Sequence, residues 1–338
     1  MLKDCIATLV EGEDLSAETA HAAMSHIMSG EATPAQIAGF LVALRIKGET
    51  VPEITGCARA MREAATQVHV PGLRVVDTCG TGGDLKGTFN VSTAAAVVTA
   101  AAGVPVAKHG NRSVSSGSGS ADVLQTLGVN IEAPPPVVER CIREASIGFL
   151  FAPVLHPAMK YAIGPRRELG VRTVFNILGP LTNPAGATRQ VLGVFGRRWV
   201  RPIAGVLANL GAERGMVVHS LDGMDEISIC DETLVADIAD GAVETRRLAP
   251  EDFGLQRGGL EPLTVEGPEQ SAEVIRGVLA GQEGPARDIV LLNAGAAIYV
   301  GGEADELAGG VEAAREALDS GLAQEALQRL IRLSHETS

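Results

Sequence analysis

The chain has 338 residues, with 28 Lys and Arg against 41 Asp and Glu, for a formal net charge of −13. Hydrophobic residues make up 46% and charged residues 20%, which excludes disorder as the dominant state and leaves room for one large domain or two smaller ones. Aromatic residues are 3%, too few to stack bare bases, and the acidic balance repels nucleic acid and anionic membranes at long range.

Five cysteines (Cys5, Cys57, Cys79, Cys141, Cys230) are widely spaced and form no CxxC pair, the usage of a reducing cytosol rather than of a zinc site. The most apolar stretch, Ala94 to Ala107, is interrupted by Gly103 and Pro105 and falls short of the ~20 residues that span a bilayer. The first residues carry no secretory signal. The expectation is a soluble, cytoplasmic protein.

In chain order, the first 70 residues read as helices. Ser16 precedes one, with Glu18 in its first turn and Gly30 at its stop. Thr33 and Gln36, and again Thr50 and Glu53, form capping boxes with a proline just inside. Ile37, Phe40, Leu41 and Leu44 then fall on one apolar face. From Pro71-Gly72 the texture changes. The runs LRVVDTC, VPVAKHG, IGFLFAP, RQVLGVFG and RGMVVHS predict buried strands, and helical stretches such as STAAAVVTAAAG, GSADVLQTLG and WVRPIAGVLANLG lie between them. That alternation predicts an α/β fold with a mainly parallel central sheet. A basic, helix-prone segment from Ala158 to Gly179 interrupts it and is expected to fold back on the N-terminal helices. Ala272 to Leu333 is again helical.

Two glycine-rich loops follow predicted strands. The first runs from Asp77 to Asp84 and on through Thr88 and Asn90 to Ser92 and Thr93, which open a helix. A helix start offers free N–H groups and about half a positive charge, a natural phosphate site. The loop is neither a Walker loop nor GxGxxG; a plain strand-to-helix turn with Ser92 as N-cap is the alternative. The second loop, Lys108 to Ser120, combines Lys, Arg, five serines and three glycines and can wrap an anion. Loops at the carboxyl ends of strands face one crevice in an open α/β sheet. The turn from Asp222 to Glu226 offers carboxylates for Mg²⁺, a solvated acidic turn being the alternative. Between Lys108 and Arg172 there are eight Lys or Arg and five Asp or Glu, a local charge of +3 that suggests an anionic small molecule. His109 is a candidate for substrate contact; His156, beside Pro157, reads as structural.

GTGGDLKGTFNVST, KHGNRSVSSGSGSADVL, HPAMK, RRELGVRTVFNILGPLTNP and DGMDEIS, in this order and spacing, resemble the anthranilate phosphoribosyltransferases of tryptophan biosynthesis over nearly the whole chain. Leu85 departs from the pattern, which often carries a glycine or small residue there. The resemblance implies a small helical domain (1–70 with about 158–186) hinged to a large α/β domain (71–157 and 187–338), as in nucleoside phosphorylases, and a homodimer formed through the helical part. It implies that Gly80, Gly83, Asp84, Thr88, Asn90, Val91, Ser92 and Thr93 hold 5-phosphoribosyl 1-diphosphate. Lys108, His109, Gly110, Asn111, Arg112, Ser113, Val114, Ser115, Ser116 and Ser120 would complete that site. Gly80, Asn111 and Arg166 would contact anthranilate. Ser92, Asp225 and Glu226 would ligate two Mg²⁺ ions. No residue is singled out as a general acid or base. Two other readings remain at this point: a pyrimidine-type nucleoside phosphorylase, and a non-catalytic nucleic-acid-binding relative.

Overall fold

The N-terminal helices begin where their caps stand: α1 (Leu2–Val10), α2 (Ala17–Met28), α3 (Pro34–Lys47) and α4 (Val51–Glu63). The computed structural model describes residues 1–113 and 117–336. Ser16 accepts from the Thr19 N–H, and Thr33 and Thr50 each close a full capping box with Gln36 and Glu53. Glu53 is fully buried; it also accepts from the Leu15 N–H at 2.9 Å and pairs with Lys47 at 2.9 Å. One side chain thus caps α4 and ties it to the loop before α2 and to the end of α3. Ile37, Phe40, Leu41 and Leu44 are all buried, as their spacing requires.

The next elements are β1 (Val76–Gly80), α5 (Val91–Ala101), β2 (Val106–Gly110), α6 (Ser120–Leu127), α7 (Pro135–Ala145), β3 (Ile147–Phe151) and α8 (Ala152–Leu155). The basic segment follows as α9 (Lys160–Leu169) and α10 (Phe175–Leu178), and α9 packs on α2 and α3. Gly30 makes that approach close: a Cβ there would lie 2.6 Å from the Tyr161 ring. The chain continues through β4 (Arg189–Gly193), α11 (Val200–Asn209), β5 (Arg214–Ser220), β6 (Thr233–Ala239) and β7 (Ala242–Leu248). It ends in α12 (Pro268–Leu279), α13 (Pro285–Gly301), α14 (Leu307–Asp319) and α15 (Leu322–Ser334).

One seven-stranded sheet has the order β3-β2-β1-β4-β5-β6-β7. Its first five strands pair in parallel and coincide with the five apolar runs. The antiparallel hairpin β6–β7 was not expected from sequence. Its turn is Asp240-Gly241, both at positive φ (50° and 78°), a two-residue hairpin geometry. β7 carries Glu244, Arg246 and Arg247 on an exposed edge and so shows no apolar run.

Strand order reverses between β1 and β4, and in open parallel sheets the crevice beyond such a reversal is where ligands bind. Two apolar clusters flank the sheet. One joins α5, α6, α7, α12, α13, α14 and α15 to β1–β3; the other joins the N-terminal helices, α9, α10 and α11 to one face of β4–β6. The second cluster is continuous from Leu2 to Ile238, so the helical unit and the sheet share apolar contact through α11. Among the described residues no helix is long and apolar enough to cross a membrane.

Candidate active site

The acidic turn lies under the first glycine-rich loop because two glycines leave it room. A Cβ on Gly193, the last residue of β4, would fall 1.5 Å from the Asp225 carbonyl oxygen, and one on Gly80 would fall 2.6 Å from Asp225 Oδ2. No side chain fits either place. With both strand ends bare, the turn packs into the β1–β4 reversal. Asp225 Oδ2 accepts from the Gly82 N–H at 2.8 Å, and Glu226 Oε1 accepts from the Ser92 N–H at 3.2 Å in the first turn of α5.

That second bond places a carboxylate on an amide that the sequence reading left open for phosphate. The N-cap of α5 is Asn90 rather than Ser92, and its side chain makes no cap bond. Instead Asn90 Oδ1 accepts from the hydroxyls of Ser118 and Ser271, both at 2.8 Å, while its amide nitrogen donates to the Ser118 carbonyl at 3.2 Å. The Asn90 N–H donates to Ser271 Oγ at 3.0 Å. The Thr93 hydroxyl, also in the first turn, is buried with no hydrogen-bond partner among the described residues.

Lys108, 2% exposed, does not reach the crevice as a free cation. Its ammonium donates to the Thr78 carbonyl at 2.6 Å and to Ser92 Oγ at 3.3 Å. Burial lowers its pKa, opposed by the charges of Asp77, Cys79 and Glu226. Burial first, then the charge of Asp84, raises Asp225; burial, then Asp225, raises Glu226. Three carboxyl groups and one ammonium therefore share a site with too little cation to satisfy them.

His109 and His156 face each other, Nε2 to Nε2 at 3.2 Å. Both are buried, and burial pushes them down to about 3 and about 4, with His156 adding to the effect on His109. They are a neutral pair at neutral pH. The His109 N–H bonds to Asp77 Oδ1 at 3.0 Å, and Gln190 Nε2 donates to Asp77 Oδ2 at 3.3 Å. Asp77, which sequence reasoning passed over, thus ties β1 to β2 and β4 beneath the site. Its place at the strand end before the glycines was the available signal.

In its described part, the second loop turns mostly to its own helix. Asp122 accepts from Arg112 Nη1 at 2.8 Å, from the Ser113 N–H at 3.1 Å and from the Gly119 N–H at 3.0 Å. Arg112 also bonds Gln125 at 2.9 Å, so its charge is directed at α6 and not at the acidic turn. Asn111 Oδ1 accepts from the Arg112 N–H at 2.7 Å, and the Ser120 hydroxyl donates to the Asn111 carbonyl at 3.4 Å. A Cβ on Gly110 would meet Ser120 Oγ at 2.2 Å, which fixes glycine there. Val114, Ser115 and Ser116 lie outside the described residues.

Arg166, on α9, lies over the Phe175 ring at 4.8 Å, and burial lowers its pKa. In the first loop Gly83 packs against Arg172, and Lys86 N–H donates to Asp84 Oδ1 at 3.2 Å. Thr88 bridges to Thr264 and is held from behind by the segment before α12. Leu85 adopts φ 61° and is 73% exposed, a left-handed conformation that costs a residue with a Cβ roughly 1 kcal/mol.

Among the described residues no three His, Cys, Asp or Glu side chains come together as a metal-binding group. Adjacent carboxylates of raised pKa, Asp225 buried and Glu226 partly exposed, offer oxygen donors only and fit Mg²⁺, which keeps water and substrate oxygens in its shell.

Comparison with known proteins agrees with this geometry. Residues 72–324 match the glycosyl transferase family a/b domain, and residues 3–65 match the helical bundle domain of the same family. The anthranilate phosphoribosyltransferase of Thioalkalivibrio sulfidiphilus is 59% identical over 330 residues, covering 98% of each chain. That of Halorhodospira halophila is 52% identical and covers 99% of this chain and 98% of its own. The solved enzyme from Thermus thermophilus superposes with a TM-score of 0.93 at 49% identity, over 98% of this chain and 100% of its own. The Saccharomyces cerevisiae enzyme, solved with PRPP and Mg, gives 0.89 at 28% identity over 98% and 97%. The chain belongs to the anthranilate phosphoribosyltransferases.

Proposed function

We propose that the crevice between β1 and β4 transfers the phosphoribosyl group of 5-phosphoribosyl 1-diphosphate to the amine of anthranilate, giving N-(5-phosphoribosyl)anthranilate and diphosphate. The observation that carries this reading is the carboxylate turn Asp225-Glu226, bonded to the Gly82 and Ser92 amides beneath the first glycine-rich loop, at the strand-order reversal. A nucleoside phosphorylase has no use for such a pair. The net charge of −13 speaks against a nucleic-acid binder.

In this reading the donor lies between the two loops, on Gly80, Gly83, Asp84, Thr88 and Asn90 to Thr93 from one side and on residues of Lys108 to Ser120 from the other. Ser92, Asp225 and Glu226 hold two Mg²⁺ ions. When bound, Mg²⁺ supplies positive charge to the departing diphosphate. The reacting C1–O bond breaks towards diphosphate as the anthranilate nitrogen bonds C1 and then loses a proton to water. First-loop N–H groups not already taken by Gly193, Asp225 or Asp84 would stabilise the developing charge, and such donors are worth about 3 kcal/mol each in water-excluded sites.

Lys108 acts from beneath. It bonds Ser92 Oγ, and its charge works against the burial and the Asp225 charge that raise Glu226, favouring the ionised form that a metal takes. Arg166 grips the anthranilate carboxylate, with Gly80 and Asn111 flanking the ring, and a planar guanidinium orients the amine by two-pronged contact. Arg112 contributes to the donor site once its pairing with Asp122 is exchanged for phosphate. The segment of about 158–186, packed with residues 1–70, closes on residues 71–157 and 187–338 and excludes the water that would hydrolyse the activated sugar. The protein works in the cytoplasm as a homodimer.

The test is product analysis. Mixing the protein with anthranilate, 5-phosphoribosyl 1-diphosphate and Mg²⁺ should yield phosphoribosylanthranilate and diphosphate in equal amounts. Phosphorolysis of thymidine or uridine, with no phosphoribosylanthranilate, would contradict the proposal.

A further inference from the structure

The first glycine-rich loop has two held feet and a tip. At its start, the Thr81 N–H donates to the Gly193 carbonyl at 2.9 Å, and Thr81 Oγ1 accepts from the Phe195 N–H at 2.9 Å. The Gly82 N–H is taken by Asp225. At its end, the Gly87 carbonyl accepts from the Val265 N–H at 2.9 Å and the Phe89 N–H donates to the Leu263 carbonyl at 2.8 Å. Between the feet, Asp84, Leu85 and Lys86 make no backbone bond to any other element among the described residues.

The last anchor before the tip is Arg172. Its Nη2 donates to the Gly83 carbonyl, and its guanidinium carbon lies 4.6 Å from the centre of the Phe195 ring. The approach is close, since a Cβ on Gly83 would lie 2.9 Å from Arg172 Nη2 and 3.3 Å from Cζ, and the φ of 78° at Gly83 is the left-handed region that favours glycine. Every other anchor of the loop given above comes from the end of β4 and the residues just after it, from the Asp225 turn or from the segment before α12. Arg172 alone, among the described residues, comes from the stretch just after α9, six positions beyond Arg166. Helix α9 stops at Gly170 in the left-handed conformation, and only Val171 separates that stop from Arg172. A movement of α9 therefore pulls on Gly83.

We propose that Arg172 is a positioning residue that couples the acceptor-binding helix to the donor loop, its guanidinium clamped between the Gly83 carbonyl and the Phe195 face. The inference rests on the functional reading above, with Arg166 as the anthranilate contact. Its consequence is reciprocal: acceptor seated on Arg166 tightens donor binding, and donor tightens acceptor by the same factor. The stack on Phe195 selects arginine, since a lysine ammonium cannot both lie flat on a ring and donate sideways to the carbonyl.

The experiment uses the full chain as wild type, Arg172→Ala, Arg172→Lys and the exposed control Arg167→Ala. Donor affinity is measured with Mg²⁺, with and without 4-fluoroanthranilate, and amide exchange is followed across residues 81–87. The expected result is that Arg172→Ala weakens the donor about tenfold, as for one hydrogen bond to a charged group. The ratio of donor affinities with and without acceptor should fall to one, and exchange should rise at Asp84 to Lys86. Arg172→Lys should behave almost as the alanine variant, ethylguanidine should restore the donor affinity of Arg172→Ala, and Arg167→Ala should match wild type. Coupling unchanged in Arg172→Ala, or absent in wild type, overturns the proposal. A wild type that binds neither compound overturns the functional reading instead, and the exchange data then still decide whether Arg172 holds the loop.

Discussion

The two glycine-rich loops leave adjacent parallel strands, β1 and β2, and are built on opposite plans. The first is held by other parts of the chain: Gly193 at the end of β4 and Phe195 just beyond it, Asp225, Arg172, and Leu263 and Val265 before α12. The second, in its described part, is gathered largely by its own helix, with Asp122 collecting Arg112, Ser113 and Gly119. A loop held from several elements reports their movement. A loop held by its own helix can change its grip without disturbing the rest. On this view the first loop fixes where bond breaking occurs, and the second supplies an adaptable wall for the donor.

The sharpest way to break the contrast is at Gly193. Gly193→Ala puts a methyl group onto the Asp225 carbonyl, where the backbone must move. Overpacking of this kind costs about 3 kcal/mol or more, and turnover should fall more than ~100-fold. A near-normal rate would show that the acidic turn does not depend on that packing. Next, Glu226→Gln should raise the Mg²⁺ concentration for half-maximal rate by at least about tenfold, because one charged ligand is lost. An unchanged metal titration would remove Glu226 from the site. Arg166→Ala should raise the KM for anthranilate about 10- to 100-fold, with little change for the donor, by loss of a charge-assisted pair. Equal damage to both substrates would argue against that role.

Much of this was legible in the residues. The capping boxes at Thr33 and Thr50, the five apolar runs and the Asp225-Glu226 pair each have a local cause, so reading them needs no tertiary knowledge. What escaped were contacts between distant segments. Ser271 on Asn90, Arg172 on Gly83 and Asp77 on the His109 amide depend on which strands are neighbours, and no spacing rule states that. The Arg172 charge was visible in the basic tract between Lys108 and Arg172, but its direction was not. Nor was the inward turn of Lys108, since burial of a lysine needs the carbonyl of Thr78 and the hydroxyl of Ser92 to be waiting. The hairpin β6–β7 was missed because an exposed edge strand carries charge where a buried strand carries Val or Ile.

Smaller effects sharpen the picture. The neutral pair His109 and His156 has folded pKa values of about 3 and about 4, below the 6.5 of the unfolded chain. The unfolded state therefore binds more protons below pH 6.5. Stability is full above that pH and falls as pH drops from 6.5 towards 4, by about 2 kcal/mol per histidine near pH 5. His156→Asn should flatten that slope in chemical unfolding. Smallest of all, Leu85→Gly removes a left-handed leucine from the loop tip and should leave stability within about 1 kcal/mol of wild type or slightly above it. A larger loss would mean that the exposed leucine packs on something when the loop closes.

The central claim is transfer at the Asp225-Glu226 turn, dependent on Mg²⁺. Its most direct test is the loss of anthranilate fluorescence on mixing with 5-phosphoribosyl 1-diphosphate, first with Mg²⁺ and then with EDTA, in wild type and in Glu226→Gln. The account predicts a decay that EDTA abolishes and that the variant recovers only at higher Mg²⁺. A decay indifferent to EDTA, or a folded protein that shows none, would contradict it.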